Sequence, residues 1–134
     1  MPLTTRAQWD RTSRTYDLMT RGEDWRQGRD KQRLFARIRG KTLLVAVGTG
    51  NDLKYLPPGS DFAAIDISSQ MLAQALAFPA HTFDTVLTVC TFCSVPNPIA
   101  GLRELYRVLK PDGQLLMFEH VRSRQFLLGW TLDL

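Results

Sequence analysis

Residues 42–66 constrain this chain more than any other stretch, because a strand, a small-residue break, a short helix and a second strand ending in an acid follow one another within them. The first strand is the apolar run Leu43-Leu44-Val45-Ala46-Val47. It breaks at Gly48-Thr49-Gly50-Asn51, where glycine permits backbone angles closed to side chains. Phe62-Ala63-Ala64-Ile65 is the second strand and delivers Asp66 to its carboxyl end, where open α/β sheets bind their ligands. A carboxylate there suits a ribose diol.

The break after the first strand has three readings. A nicotinamide-binding turn wants a third glycine where Leu53 stands, since a bulky residue obstructs close helix–strand packing. A Walker-type phosphate loop wants a lysine followed by serine or threonine, which is absent. The plainest reading is any α/β nucleotide-binding domain.

The rest of the chain extends the same pattern. Leu53 to Ser60 predicts a short helix that stops at Pro57-Pro58-Gly59, and Ser68 is placed to cap a helix beginning at Ser69. Phe78 to Thr82 forms a turn into the strand Phe83–Cys90, with no room for another strand before it. Thr91 to Pro98 is a loop. Ile99, Leu102, Leu105, Tyr106 and Leu109 predict one apolar helical face, ended by Pro111-Asp112-Gly113, and Gln114 to His120 is a further strand. Strand, helix and strand in succession argue for parallel pairing with right-handed crossovers.

At 134 residues this is a single domain, small for a doubly wound sheet with all its helices. We divide it into a basic helical region, 1–40, and a core, 41–134. The net charge of +4 comes from the front region, where basic residues outnumber acids by about two to one. Apolar residues at Trp9, Tyr16 and Met19, then at Leu34, Phe35 and Ile38, predict two amphipathic helices interrupted near Gly22 and Gly28. Their arginines make either a solvated face or, with Trp9, Trp25 and Phe35, a lid or a peripheral contact with anionic membrane. Nucleic-acid binding is disfavoured because no reading module is matched.

No apolar run is long enough to cross a bilayer and no signal-peptide centre is present, so a cytoplasmic location is expected. Cys90 and Cys93 are too close in a strand for an easy bridge, and no second pair supports zinc. His81 falls in a turn, as a solvated polar residue. His120, at the end of the last strand, is a weak candidate for a general base and otherwise a polar or structural residue.

In this arrangement the chain resembles class I S-adenosylmethionine-dependent methyltransferases, of the branch with quinone-biosynthesis and phospholipid N-methyltransferase-like proteins. The resemblance rests on Val45 to Asn51, on Ala64-Ile65-Asp66-Ile67-Ser68 with Met71-Leu72, on Phe83-Asp84-Thr85-Val86, and on Leu102 to Leu105 leading to Arg107–Gly113. Glu119-His120-Val121-Arg122-Ser123 adds a match to the phospholipid and thiol methyltransferase-like members. It implies a Rossmann-like, mostly parallel sheet with flanking helices and core strand order 2-1-4-5, counted in the family's scheme. It also implies S-adenosylmethionine as cofactor and a small-molecule or lipid-like methyl acceptor.

By the same resemblance, Ala46, Gly48, Thr49, Gly50 and Asn51 form the methionine-side turn and Asp66 holds the ribose, with Ile67 and Met71 near the adenine. Cys90 and Thr91 line the methionine, and Tyr16 matches a lid tyrosine. Three departures stand beside it. Leu44 and Ala46 replace the family's acid and first glycine. A segment with the third strand and an adenine-recognising acid is nearly absent between the equivalents of Ala73 and Ala75, and the family's final strands lie beyond Leu134. Such a core leaves both sheet edges open, which favours a homodimer. A catalytically silent fragment serving as a binding or assembly module is the alternative function.

Overall fold

The computed structural model describes residues 22–45, 50–66, 77–92, 95 and 97–119. Four strands form one sheet: β1 (Thr42–Val45), β2 (Phe62–Ile65), β3 (Phe83–Val89) and β4 (Leu109–Phe118). Their order is β2-β1-β3-β4, and every pairing is parallel. This is the expected arrangement, with β3 and β4 in the places of the family's fourth and fifth strands. Val45 lies opposite both Ile65 and Thr88, so β1, β2 and β3 reach the same level at their carboxyl ends.

The two faces of β1 bury different partners, as a period of two requires. Leu43 and Val45 join Ile65, Phe83 and Val86 under Leu105 and Val108 of helix α2 (Pro98–Val108). Leu44 joins Leu87 and Leu116 under Phe35 of helix α1 (Glu23–Phe35). A 3-10 helix, Asn51–Tyr55, replaces the helix expected over 53–60. It ends at Leu56 with extended backbone, because the residue before a proline avoids the helical region.

Gly28 does not interrupt α1. It lies inside the helix, where a Cβ would stand 3.1 Å from the Tyr55 hydroxyl. The glycine lets α1 approach the 3-10 helix, and Phe35 and Tyr55 meet with ring centroids 5.7 Å apart. The apolar face expected on α2 is divided. Leu105 is buried with Gly101, Glu104 and Val108, whereas Ile99, Leu102 and Tyr106 are exposed, Tyr106 at 81%. Glu104 is tolerated inside because Arg107 donates to it from Nε at 2.8 Å. Arg107 also donates to the Phe78 carbonyl, tying α2 to the segment before β3. The Glu104 carboxylate beside it raises the Arg107 pKa further.

The last strand begins at Leu109 rather than Gln114. Pairing shifts between Phe83, opposite Leu109, and Thr85, opposite Gln114, so Lys110 to Gly113 loop out facing one residue, Asp84. A bulge accommodates Pro111, which has no N–H to give a ladder. It also turns Lys110 onto Asp84, whose Oδ1 accepts from Nζ at 2.8 Å while Oδ2 accepts from the Lys41 N–H at 2.8 Å.

These two donors hold the Asp84 carboxyl below its ordinary pKa, the Lys110 hydrogen bond being the larger cause. A depressed carboxylate adds stability that is present above its unfolded pKa and lost as pH falls through the folded one. Asp84→Asn is therefore expected to narrow the stability gap from wild type as the pH drops below the usual carboxylate range. Urea unfolding at a series of pH values checks this, and a constant gap down to strong acid would contradict it.

Candidate functional site

Five of the residues singled out by sequence fall among the described ones, Gly50, Asn51, Asp66, Cys90 and Thr91, and they follow the carboxyl ends of the strands. Gly50 has φ +81°, the left-handed conformation that glycine adopts without strain, and opens the 3-10 helix beside exposed Asn51. A side chain at Gly50 would be strained in that conformation and would crowd Leu53 at 3.3 Å. Asp66 directly follows β2 and is exposed. Cys90 and Thr91 directly follow β3, with Cys90 half-buried and Thr91 fully buried. Glycine turn, acid and β3 exit thus share one end of the sheet. Ala46, Gly48, Thr49, Ile67, Met71, Tyr16 and His120 lie outside the described residues, as does Cys93.

Cys90 leaves β3 with φ +49°, unusual for a residue with a side chain. Its N–H donates to the Phe118 carbonyl at 2.7 Å. The two residues that follow donate backbone N–H groups to one carboxylate: Thr91 to Glu119 Oε1 at 3.1 Å and Phe92 to Glu119 Oε2 at 3.0 Å. The Thr88 hydroxyl donates to Oε1 at 2.8 Å. Glu119 was expected to match the family's closing motif, not to shape this loop. Its one sequence signal is a carboxylate directly after an apolar strand, at the end where ligands bind.

Lys31 is a second residue beside the site whose contact sequence reasoning missed. Its Nζ is 2.9 Å from Asp52 Oδ1, with the lysine side chain only 8% exposed and the aspartate 28%. The ion pair fastens α1 to the 3-10 helix that follows the glycine turn. Beside it, a small hollow of about 20 Å³ is lined by Phe35, Leu44, Leu53, Leu87 and Val89 with Val45 and Asp52. Among the described residues, no group of three or more His, Cys, Asp or Glu could hold a metal ion.

The donor and acceptor set fits a nucleoside carrying an amino-acid tail. Asp66 puts an exposed carboxylate at the end of β2, Gly50 allows close backbone approach, and the N–H groups of the β3 exit are already engaged by Phe118 and Glu119.

A parallel sheet that collects a left-handed glycine, a strand-end acid and a pinned loop at its carboxyl ends defines a Rossmann-like ligand-binding domain. The sequence profile described as Methyltransferase domain matches residues 43–117, more than half of the chain. The chain belongs to that family.

Among curated relatives, it is 43% identical over 61 residues to the ubiquinone/menaquinone biosynthesis C-methyltransferase UbiE of Hydrogenovibrio crunogenus, covering 46% of this chain and 24% of the relative. It is 28% identical over 122 residues to the human thiol S-methyltransferase TMT1B, covering 68% of this chain and 50% of the relative. The chain thus spans half or less of the length of these two relatives. The human match sets 122 residues against 68% of a 134-residue chain, about 91, so the relative has roughly thirty residues there that this chain does not. That accords with the shortening read between Ala73 and Ala75.

Among solved structures, a SAM-dependent methyltransferase from Thermotoga maritima superposes with a TM-score of 0.55 at 21% identity, over 93% of this chain and 67% of that one. The [4+2]-cyclase SpnF superposes with a TM-score of 0.60 at 21% identity, over 73% and 47%. These likenesses establish the fold. The second carries a cyclase's name on the same fold, so the chemistry has to be argued from the site.

Proposed function

We propose that this chain binds S-adenosylmethionine across the carboxyl ends of β1, β2 and β3 and transfers its methyl group to a small-molecule or lipid-like acceptor. The observation that carries the reading is the placement of Asp66 at the end of β2, beside the strand that leads to the left-handed Gly50 turn. Family membership supports it, as do relatives named for methyl transfer to carbon and to sulfur. The donor supplies a sulfonium methyl, already electrophilic. The protein's work is then to hold donor and acceptor in line and to exclude water. Asp66 fixes the ribose, the glycine turn admits the amino-acid tail, and the β3 exit closes the wall beside it.

Calorimetric titration with S-adenosylhomocysteine tests the reading, because the product form binds without being consumed. Saturable binding with a micromolar dissociation constant is expected, and a folded sample that shows none would overturn it. That failure would favour the silent binding or assembly module, whose specific support is the shortfall of roughly thirty residues against TMT1B.

The outer face of α1 supports a peripheral membrane contact. Arg26, Arg29 and Arg33 are exposed along one side of the helix and Arg37 just past its end, with Trp25 89% exposed at the first turn. Lys31 and Phe35 point inward. Guanidinium groups beside an exposed indole suit an anionic headgroup layer. Co-sedimentation with vesicles containing phosphatidylserine is expected at low salt and should fall as salt screens the contact. Equal sedimentation with neutral vesicles would contradict it.

A further inference from the structure

Glu119 makes more of the site than a strand-end carboxylate ordinarily does. It is half-buried directly after β4 and accepts three hydrogen bonds, all from the last turn of chain around the β3 exit: the Thr88 hydroxyl and the Thr91 and Phe92 N–H groups. The Thr91 and Phe92 amides are obligate donors, one on each oxygen, so both oxygens must accept, which the two oxygens of a carboxylate can do and a side-chain amide cannot. The loop it grips contains Cys90 in the left-handed conformation, which side chains disfavour unless the surroundings hold it. The grip extends further. The hydroxyl of fully buried Thr91 reaches the Val45 carbonyl at 3.4 Å and the Val89 carbonyl at 3.3 Å. Val45 is the last residue of β1, and the glycine turn follows it. One carboxylate on β4 therefore sets the exit of β3, and through Thr91 that exit touches the end of β1.

We propose that Glu119 is a positioning residue of the methyl-donor site, acting through the backbone of Thr91 and Phe92 to hold Cys90 and Thr91 in the shape that the donor's amino-acid tail meets. The inference rests on the cofactor reading above. A purely architectural role would stabilise the sheet without altering ligand affinity, and the two roles separate experimentally.

Glu119→Gln preserves shape but sets one oxygen and one NH₂ group against two obligate backbone donors on separate oxygens, so one loop amide loses its acceptor. Hydrogen exchange of the Thr91 and Phe92 amides, followed by NMR, is expected to accelerate about tenfold or more, and the dissociation constant for S-adenosylhomocysteine to rise about tenfold. Asp84→Asn, at the opposite end of the strands, is the control and should leave that constant within about twofold. If Glu119→Gln is too unstable to purify, Thr88→Val removes only the hydroxyl that orients the carboxylate and should move both readouts in the same direction by less. Faster amide exchange with unchanged affinity would overturn the proposal, as would weakened affinity with the amides undisturbed. Absence of binding in the wild type fails the cofactor reading itself, and this inference with it. The wild-type isotherm shows that before any variant is made.

Discussion

Gly40→Ala is expected to destabilise the protein by about 3 kcal/mol, near the upper end for a single substitution. Gly40 turns the chain into β1 with φ +62°, which costs a side-chain-bearing residue about 1–2 kcal/mol. A Cβ there would also stand 2.5 Å from Asp84 Cγ and 2.6 Å from its Cβ. Those atoms are the root of the side chain and cannot swing aside as a flexible tip would. Asp84 would have to shift, releasing Lys41 and Lys110 together. Urea denaturation should show a lowered midpoint with an unchanged slope. A loss below about 1 kcal/mol would mean that the turn relaxes without disturbing Asp84.

Asp66→Ala is expected to weaken S-adenosylhomocysteine binding about a hundredfold. Two hydrogen bonds from ribose hydroxyls to a carboxylate, at about 1.5 kcal/mol each, correspond to roughly two powers of ten in dissociation constant. Asp66 is exposed, and exposed side-chain interactions contribute little, so unfolding should shift by about 1 kcal/mol at most. That contrast distinguishes a ligand contact from a fold contact. Retained affinity in Asp66→Ala would remove the ribose role and with it the observation on which the functional reading stands.

The parts of this molecule legible in its sequence are those whose causes are local. Leu43 to Val45 reads as a strand because its residues are apolar and branched, and Gly50 reads as a turn because its left-handed backbone favours glycine. Asp66 is placed by counting along β2. The less legible parts depend on partners far along the chain. Glu119 takes its meaning from donors 27 to 31 residues earlier, and Gly40 from an aspartate 44 positions later.

Lys31 looks like one more cation in a basic helix until Asp52 is seen across from it. Pro111 hides the start of β4 because a proline in a strand reads as a break, and a bulge is what permits it. The α2 pattern misled for another reason. A helix packed on one face of a four-stranded sheet through Leu105 and Val108 buries only a narrow stripe, and Gly101 and Glu104 complete it where Ile99 and Tyr106 were expected.

The layer beneath α1 has a consequence for how the chain comes together during synthesis. Phe35 and Leu44 are made early, but the residues they pack on, Leu87 and Leu116, belong to the third and fourth strands. β1 itself is central, and both of its neighbours are downstream. A nascent chain must therefore carry an unpaired β1 until β2 and β3 have been made, and its Phe35 layer stays incomplete until Leu116 has left the ribosome. During that interval the growing chain is open to holding chaperones and to its own neighbours on the same message.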